Sequence, residues 1–330
     1  MLGVGWLFSA VPDGAPTRQM LDEIVADRPV YLNANDLHSV WANTAALAEL
    51  GITDATPNPI GGEIVRDAAG VATGLLMENA GYHLAWPVMN RGTEADHDRE
   101  LDAAIQAYLA AGTTSAVEMA LDKDGLDAML RAVARGTLPF TVHAHWLVSR
   151  TGDPATELAQ VARAAELARR HADGPVRVVG IKLISWYQGY PDDGPLLDTI
   201  CAYAHEHGMP ILNHSWGPKL GEWLARYPRA QFICGHWDPA RAELARRHEN
   251  LWICTCLPIG HESFERGLRD LRPDRVMWGS DMSDLQFGCG LGPILLSRVS
   301  DEVKRRVIGL NMLELLETCG IPAPPAWEGC

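Results

Sequence analysis

From about residue 112 onward, short apolar runs rich in β-branched residues alternate with amphipathic stretches, and no other feature limits the fold so strongly. Such an alternation belongs to repeated βα units around a parallel sheet. Seven strand candidates occur: TTSAVEM (the 114–120 region), FTVHAHWL (140–147), VVGIKLI (178–184), PILNHSW (210–216), QFICGH (231–236), LWICTC (251–256) and VMWGSD (276–281). The intervening punctuation is helical. Asp153-Pro154 and Asp238-Pro239 each offer an N-cap followed by proline in the first turn, and Gly136, Gly208 and Gly320 stand where helices stop. Leu196, Leu197, Ile200, Cys201 and Ala204 recur at helical spacing and are expected to face the sheet. A helix over 94–111, capped by Thr93 with Asp96 three residues on, precedes the first of these strands.

Four of the candidates end in residues that could bind a metal or work beside one: Lys182, His214, His236 and Asp281. A barrel of alternating strands and helices would bring all four to one mouth. An amine in an apolar strand is costly unless paired or modified, whereas each histidine alone could be a satisfied core residue. Residues 1–92 do not continue the βα pattern. They read as a helix (17–27), a short strand PVYLNA, a helix (39–50) stopped at Gly51, a Pro-rich turn TPNPIGG and a hairpin around Asp67 to Gly70. The expected organisation is an insertion or lid subdomain over 1–92 and a barrel over 93–330.

Bulk properties narrow the partners. The net charge is -14, from 42 acidic and 28 basic residues without a dense Lys/Arg run, which argues against nucleic acid or an anionic membrane. No stretch approaches the roughly 18 consecutive apolar residues of a membrane span, and MLGVGWLFSAVPDG lacks the basic residue of a secretory leader. A cytoplasmic protein is expected. Seven scattered cysteines, three within apolar strands, suit reduced and mostly buried thiols. Cys254 and Cys256 form a C-x-C pair that small core residues explain, with a zinc or redox role as the alternative.

The segments DLHSVWANTAALAELGI, PNPIGGEIVRD, GVATGLLMENA and AGTTSAV, in that order, resemble the N-substituted formamide deformylase-like branch of the amidohydrolase superfamily. The resemblance covers roughly residues 4–185. From about 205, GMPILNH, YPRAQFICGH, ENLWICTC, DRVMWGSD and a final helix with GLNMLELL look more like the amidohydrolase-related branch that includes lactonases and decarboxylases. Both branches are metal-dependent (β/α)8 TIM-type barrels. The resemblance implies that Lys182 is the fourth-strand lysine, carboxylated in many members to bridge two metals, and that His214 and His236 are the fifth- and sixth-strand ligands. It implies that Asp281 is the eighth-strand aspartate, which holds a metal and accepts a proton from the attacking water. The first-strand H-x-H of the superfamily would lie upstream of residue 1, and the flanking β-sandwich segments are absent. The expectation is a barrel lacking its first strand, either a piece of a longer protein or one with a rebuilt metal site.

Neutral imidazoles with a carboxylate suit zinc and related divalent ions, and an open coordination position lowers the pKa of bound water to about 7. One or two ions, zinc first, are expected. His143 and His145 form an H-x-H on one strand face, but on the third strand, beside Lys182, so substrate lining or hydrogen bonding is expected of them rather than ligation. His38, in NANDLHSVW, is assigned to a pocket. Trp186, Trp216 and Trp237 follow the candidate ligands, and aromatic rings at a barrel mouth favour an apolar or aromatic small-molecule substrate. Glu118 could be a further pocket carboxylate or a salt-bridge partner. The expected activity is hydrolysis of a non-peptide C–N bond of the amide type by a metal-activated water. The alternatives are a lactone or ester hydrolase, a nonoxidative decarboxylase, or a truncated inactive chain; homo-oligomerisation stays open.

Overall fold

The computed structural model describes residues 1–183, 192–256, 261–281 and 287–324. They fall into two compact units, 1–92 and 93–324. No described helix is long and apolar enough to cross a membrane.

In the first unit, β1 (Leu2–Trp6), β2 (Tyr31–Ala34), β3 (Ser39–Ala42), β4 (Gly62–Arg66) and β5 (Ala72–Glu78) form one sheet in the order β1-β2-β3-β5-β4. Only β1 and β2 run parallel; the other pairs are antiparallel. Tyr31, Val40, Leu47, Ile64 and Leu76 share its core. The helix expected over 39–50 is instead β3 followed by a helix over Thr44–Glu49. Val40 and Trp41 find partners on both sides, in β2 and β5, and two-sided pairing outweighs the helical spacing. The helix expected over 17–27 shrinks to Arg18–Asp22, and β1, with two glycines in LGVGW, gave no strand signal.

Asn43 makes the switch from strand to helix. Its side-chain oxygen accepts from Val30 N (3.0 Å) and Ala46 N (2.9 Å), and its amide donates to Val25 O (2.8 Å) and Arg28 O (2.9 Å). The side chain thus caps the helix and holds the preceding loop with every polar position used. Gly74, at φ +98°, lies so close to Ala42 O that a Cβ would stand 2.2 Å from it.

In the second unit, β6 (Ser115–Leu121), β7 (Thr141–Val148), β8 (Val176–Leu183), β9 (Pro210–Asn213), β10 (Gln231–Cys234), β11 (Leu251–Cys254) and β12 (Val276–Met277) form an all-parallel sheet in chain order. These are the seven strands expected. The sheet is curled, because Met119 on one edge strand packs into the cluster that holds Met277 on the other, with Leu212, Ile233, Trp252 and Leu315. Flat, seven strands at about 4.8 Å spacing would hold those edges nearly 30 Å apart. The result is an open barrel in which β6 and β12 are unpaired with each other among the described residues.

Local signals set the helices. Thr93 and Asp96 form the full capping box of the helix Glu94–Ala110, Asp153 caps Pro154–Arg170, and Gly136 and Gly208 end two helices in left-handed conformation. Leu196, Leu197, Ile200, Cys201 and Ala204 are the buried face of Pro195–His207. Asn311, fully buried, donates to Pro273 O and Val276 O, both at 2.7 Å, and so fixes the last helix, Asn311–Thr318, to the base of β12.

Asn43→Ala removes a cap and strands buried backbone donors and acceptors. It should cost the protein about 2–4 kcal/mol in denaturant unfolding; a loss below about 1 kcal/mol would contradict the role given to this side chain.

Candidate metal centre

A parallel sheet delivers the carboxyl ends of all its strands to one edge. Lys182 is the penultimate residue of β8, His214 follows β9 directly, His236 lies just past β10, and Asp281 lies beyond β12. All four therefore stand at the same edge of one sheet. The imidazoles of His214 and His236 are neighbours, with ring centroids 4.0 Å apart and planes at 54°.

Backbone geometry produces that pair. Gly235 N donates to Asn213 O at 2.8 Å, so the ladder continues past the ends of β9 and β10. A Cβ at Gly235 would come within 3.1 Å of that oxygen and 3.2 Å of His214 Cα. Arg241 joins the two loops from above, donating Nε to Asp238 Oδ2 (3.0 Å) and Nη2 to Trp216 O (2.6 Å). Towards β12 the links continue: Trp237 N to Cys256 O (3.0 Å), Thr255 N to Met277 O (2.7 Å) and Gly279 N to Thr255 Oγ1 (3.2 Å). Asp281 itself takes φ +52°, an uncommon conformation that short polar side chains tolerate.

Lys182 sits in a weakly solvated place. Burial pushes its amine down to about 8, against an opposing pull from Cys256, Cys254 and Glu118. Burial likewise raises the Glu118 carboxyl, with Asp122 adding to the shift and Lys182 opposing it. Two adjacent imidazoles with an amine and a carboxylate from the same sheet edge are donors of the chemistry that borderline divalent ions take. The histidine pair fits such an ion. Among the described residues, however, no three His, Cys, Asp or Glu side chains are grouped so as to hold one.

The sequence profile of the amidohydrolase family matches residues 2–219. The chain belongs to the amidohydrolase family. It is similar to an N-substituted formamide deformylase of Arthrobacter pascens, 38% identical over 130 residues that make up 38% of this chain and 24% of that protein. It is also similar to the protein YtcJ of Bacillus subtilis, 35% identical over 150 residues, 43% of this chain and 28% of that one. The match thus spans about a quarter of the length of these curated relatives. Among solved structures, a metal-dependent hydrolase from Pyrococcus horikoshii superposes with a TM-score of 0.58 at 15% identity, covering 97% of this chain and 73% of that one. A TIM-barrel protein from Bordetella bronchiseptica gives 0.50 at 17% identity, over 69% and 90%. These two likenesses support the barrel fold.

The remaining candidates of this amidohydrolase-family chain differ in their surroundings. His143 and His145 are 1% and 0% exposed, so neither reaches solvent as a substrate-lining residue would. His145 lies over Gly180, whose missing Cβ would meet its ring at 2.5 Å, and neither of its ring nitrogens has a hydrogen bond of normal geometry. Trp216 is also interior, at 2% exposure, with Nε1 donating to Ile233 O (2.9 Å). Trp237 packs beside Phe264 and across Gly267 of the helix His261–Asp270. His38 belongs to the first unit, where its Nδ1 meets Glu78 Oε2 (2.9 Å) and the Tyr82 hydroxyl (3.0 Å). Trp186 lies outside the described residues. Arg241, which ties the two histidine loops, was not singled out from sequence; its only local sign is the spacing Asp238-x-x-Arg241.

Burial holds His143 down to about 4, helped by Arg177 and opposed by Pro322, and His145 down to about 3, helped by Lys182 and His143. Unfolding lets both imidazoles take up protons below about 6.5, so the unfolded state binds more protons and stability falls as pH drops from about 6.5 toward 4. Urea unfolding at stepped pH should show a slope approaching two protons, about 2.7 kcal/mol per pH unit. A flat profile across that window in the wild type, or no flattening in His145→Phe, would contradict it.

Proposed function

We propose that the protein hydrolyses a non-peptide C–N bond of the amide type in a small-molecule substrate, using a divalent cation, zinc in the first instance, at the carboxyl edge of its parallel sheet. The observation that carries this reading is the His214–His236 pair, with ring centroids 4.0 Å apart at the ends of adjacent strands in an amidohydrolase-family chain. A cation bound there would supply Lewis-acid polarisation of the scissile carbonyl and a lowered pKa for bound water. His214 and His236 would hold it through their imidazole nitrogens. Lys182, its amine depressed to about 8, is neutral often enough near neutral pH to take up carbon dioxide and present a carbamate oxygen. Asp281 is the ligand and base: its carboxylate takes the proton of the attacking water and returns it to the departing nitrogen.

The similarity to a formamide deformylase makes N-substituted formamides the first substrate class to try. Trp237, which keeps solvent contact, is the described strand-end tryptophan that suits an apolar or aromatic substituent.

Zinc titration of metal-free protein, followed by assay on a panel of N-substituted formamides, tests the proposal. About one equivalent or more should bind, and His214→Ala or His236→Ala should weaken binding at least about 100-fold, the upper range for mere supporting residues. Zinc binding no stronger in the wild type than in the double alanine variant would refute it.

A further inference from the structure

The Cys254–Cys256 pair has no part in the hydrolytic reading. The two Sγ atoms lie 3.3 Å apart, both cysteines are free, and they are 4% and 6% exposed. Gly279 gives them room: a Cβ there would stand 2.3 Å from one sulfur and 2.5 Å from the other. A disulfide needs about 2.05 Å between sulfurs, so the pair has only about 1.3 Å to close. The same short segment also braces the sheet edge. Cys256 O accepts from Trp237 N, next to His236, while Thr255 bonds Met277 O and Gly279 N, just before Asp281.

We propose that Cys254 and Cys256 are a modification site, a dithiol that hydrogen peroxide converts to an intramolecular disulfide. One thiolate attacks the O–O bond; a sulfenic acid forms and the other oxygen leaves as water. The second sulfur then displaces the sulfenic hydroxyl, which departs as a second water, and the S–S bond forms. In sum, two thiols and one peroxide give one disulfide and two waters, with sulfur oxidised and peroxide oxygen reduced. A thiol reductant reverses it. Because the partner sulfur is already in van der Waals contact, capture of the sulfenic acid outruns its further oxidation. Closure also pulls on the bonds to Trp237 and Gly279, so oxidation weakens ion binding; this consequence alone rests on the proposed metal centre.

Reduced protein is treated with hydrogen peroxide, alkylated and digested with trypsin. The peptide His248–Arg266 contains these two cysteines and no other. It should emerge unalkylated and about 2 Da lighter than the reduced peptide, and dithiothreitol should restore it. In Cys256→Ser, Cys254 should instead progress to sulfinic acid. The proposal falls if both thiols stay alkylatable at peroxide doses that oxidise the exposed Cys289, if the wild-type peptide goes to sulfinic acid, or if Cys254 links to another cysteine. Zinc affinity of the oxidised form should be at least tenfold weaker than that of the reduced form, and equal affinities would overturn the coupling to the sheet edge. Should neither form bind zinc, the hydrolytic reading fails, while the peptide mass still decides the disulfide.

Discussion

The hydrogen-bond ladder of the parallel sheet runs on past the formal ends of its strands, and the rest of the candidate site depends on that continuation. Gly235 N to Asn213 O, Trp237 N to Cys256 O and Thr255 N to Met277 O hold successive loops in register just where side chains leave the sheet. Parallel strands aim in one direction, so residues far apart in sequence come to one edge without any loop having to reach across the fold. Local devices refine the spacing. The bare Cα of Gly235 lets β9 and β10 loops approach, Arg241 clamps them, and the imidazoles end beside each other.

The interior of the sheet favours neutral groups. His143 and His145 are held well below the usual imidazole range, Lys182 is pushed down and Glu118 pushed up, all chiefly by loss of water. A buried charge would have to find a counter-charge in a medium that screens weakly, so burial shifts each of these groups toward its neutral form. This is the condition in which an amine becomes a useful base or nucleophile near neutral pH and in which imidazoles are free to coordinate.

Much of this was readable from sequence because it is written in short-range signals. All seven strands of the second unit showed as apolar β-branched runs, and the Thr93–Asp96 capping box, the Asp153 cap and the glycine stops at 136 and 208 bounded the helices as expected. What depends on distant partners did not show. Ser39–Ala42 carries a helical spacing and becomes a strand only because β2 and β5 flank it. Trp216, two residues after a candidate ligand, turns inward to Ile233 O, and nearness in sequence cannot say on which side of a sheet edge a ring will lie. The same limit applies to the two thiols, whose 3.3 Å approach depends on a glycine from the neighbouring strand end.

The central claim is that a cation at this sheet edge is held by imidazoles. Zinc K-edge X-ray absorption of the reconstituted protein addresses it directly. The account predicts nitrogen and oxygen donors at about 2.0–2.2 Å with the outer-shell scattering of two imidazole rings, lost in the His214→Ala/His236→Ala variant. Sulfur at about 2.3 Å, drawn from Cys254 and Cys256, or a spectrum without imidazole scattering, would contradict it.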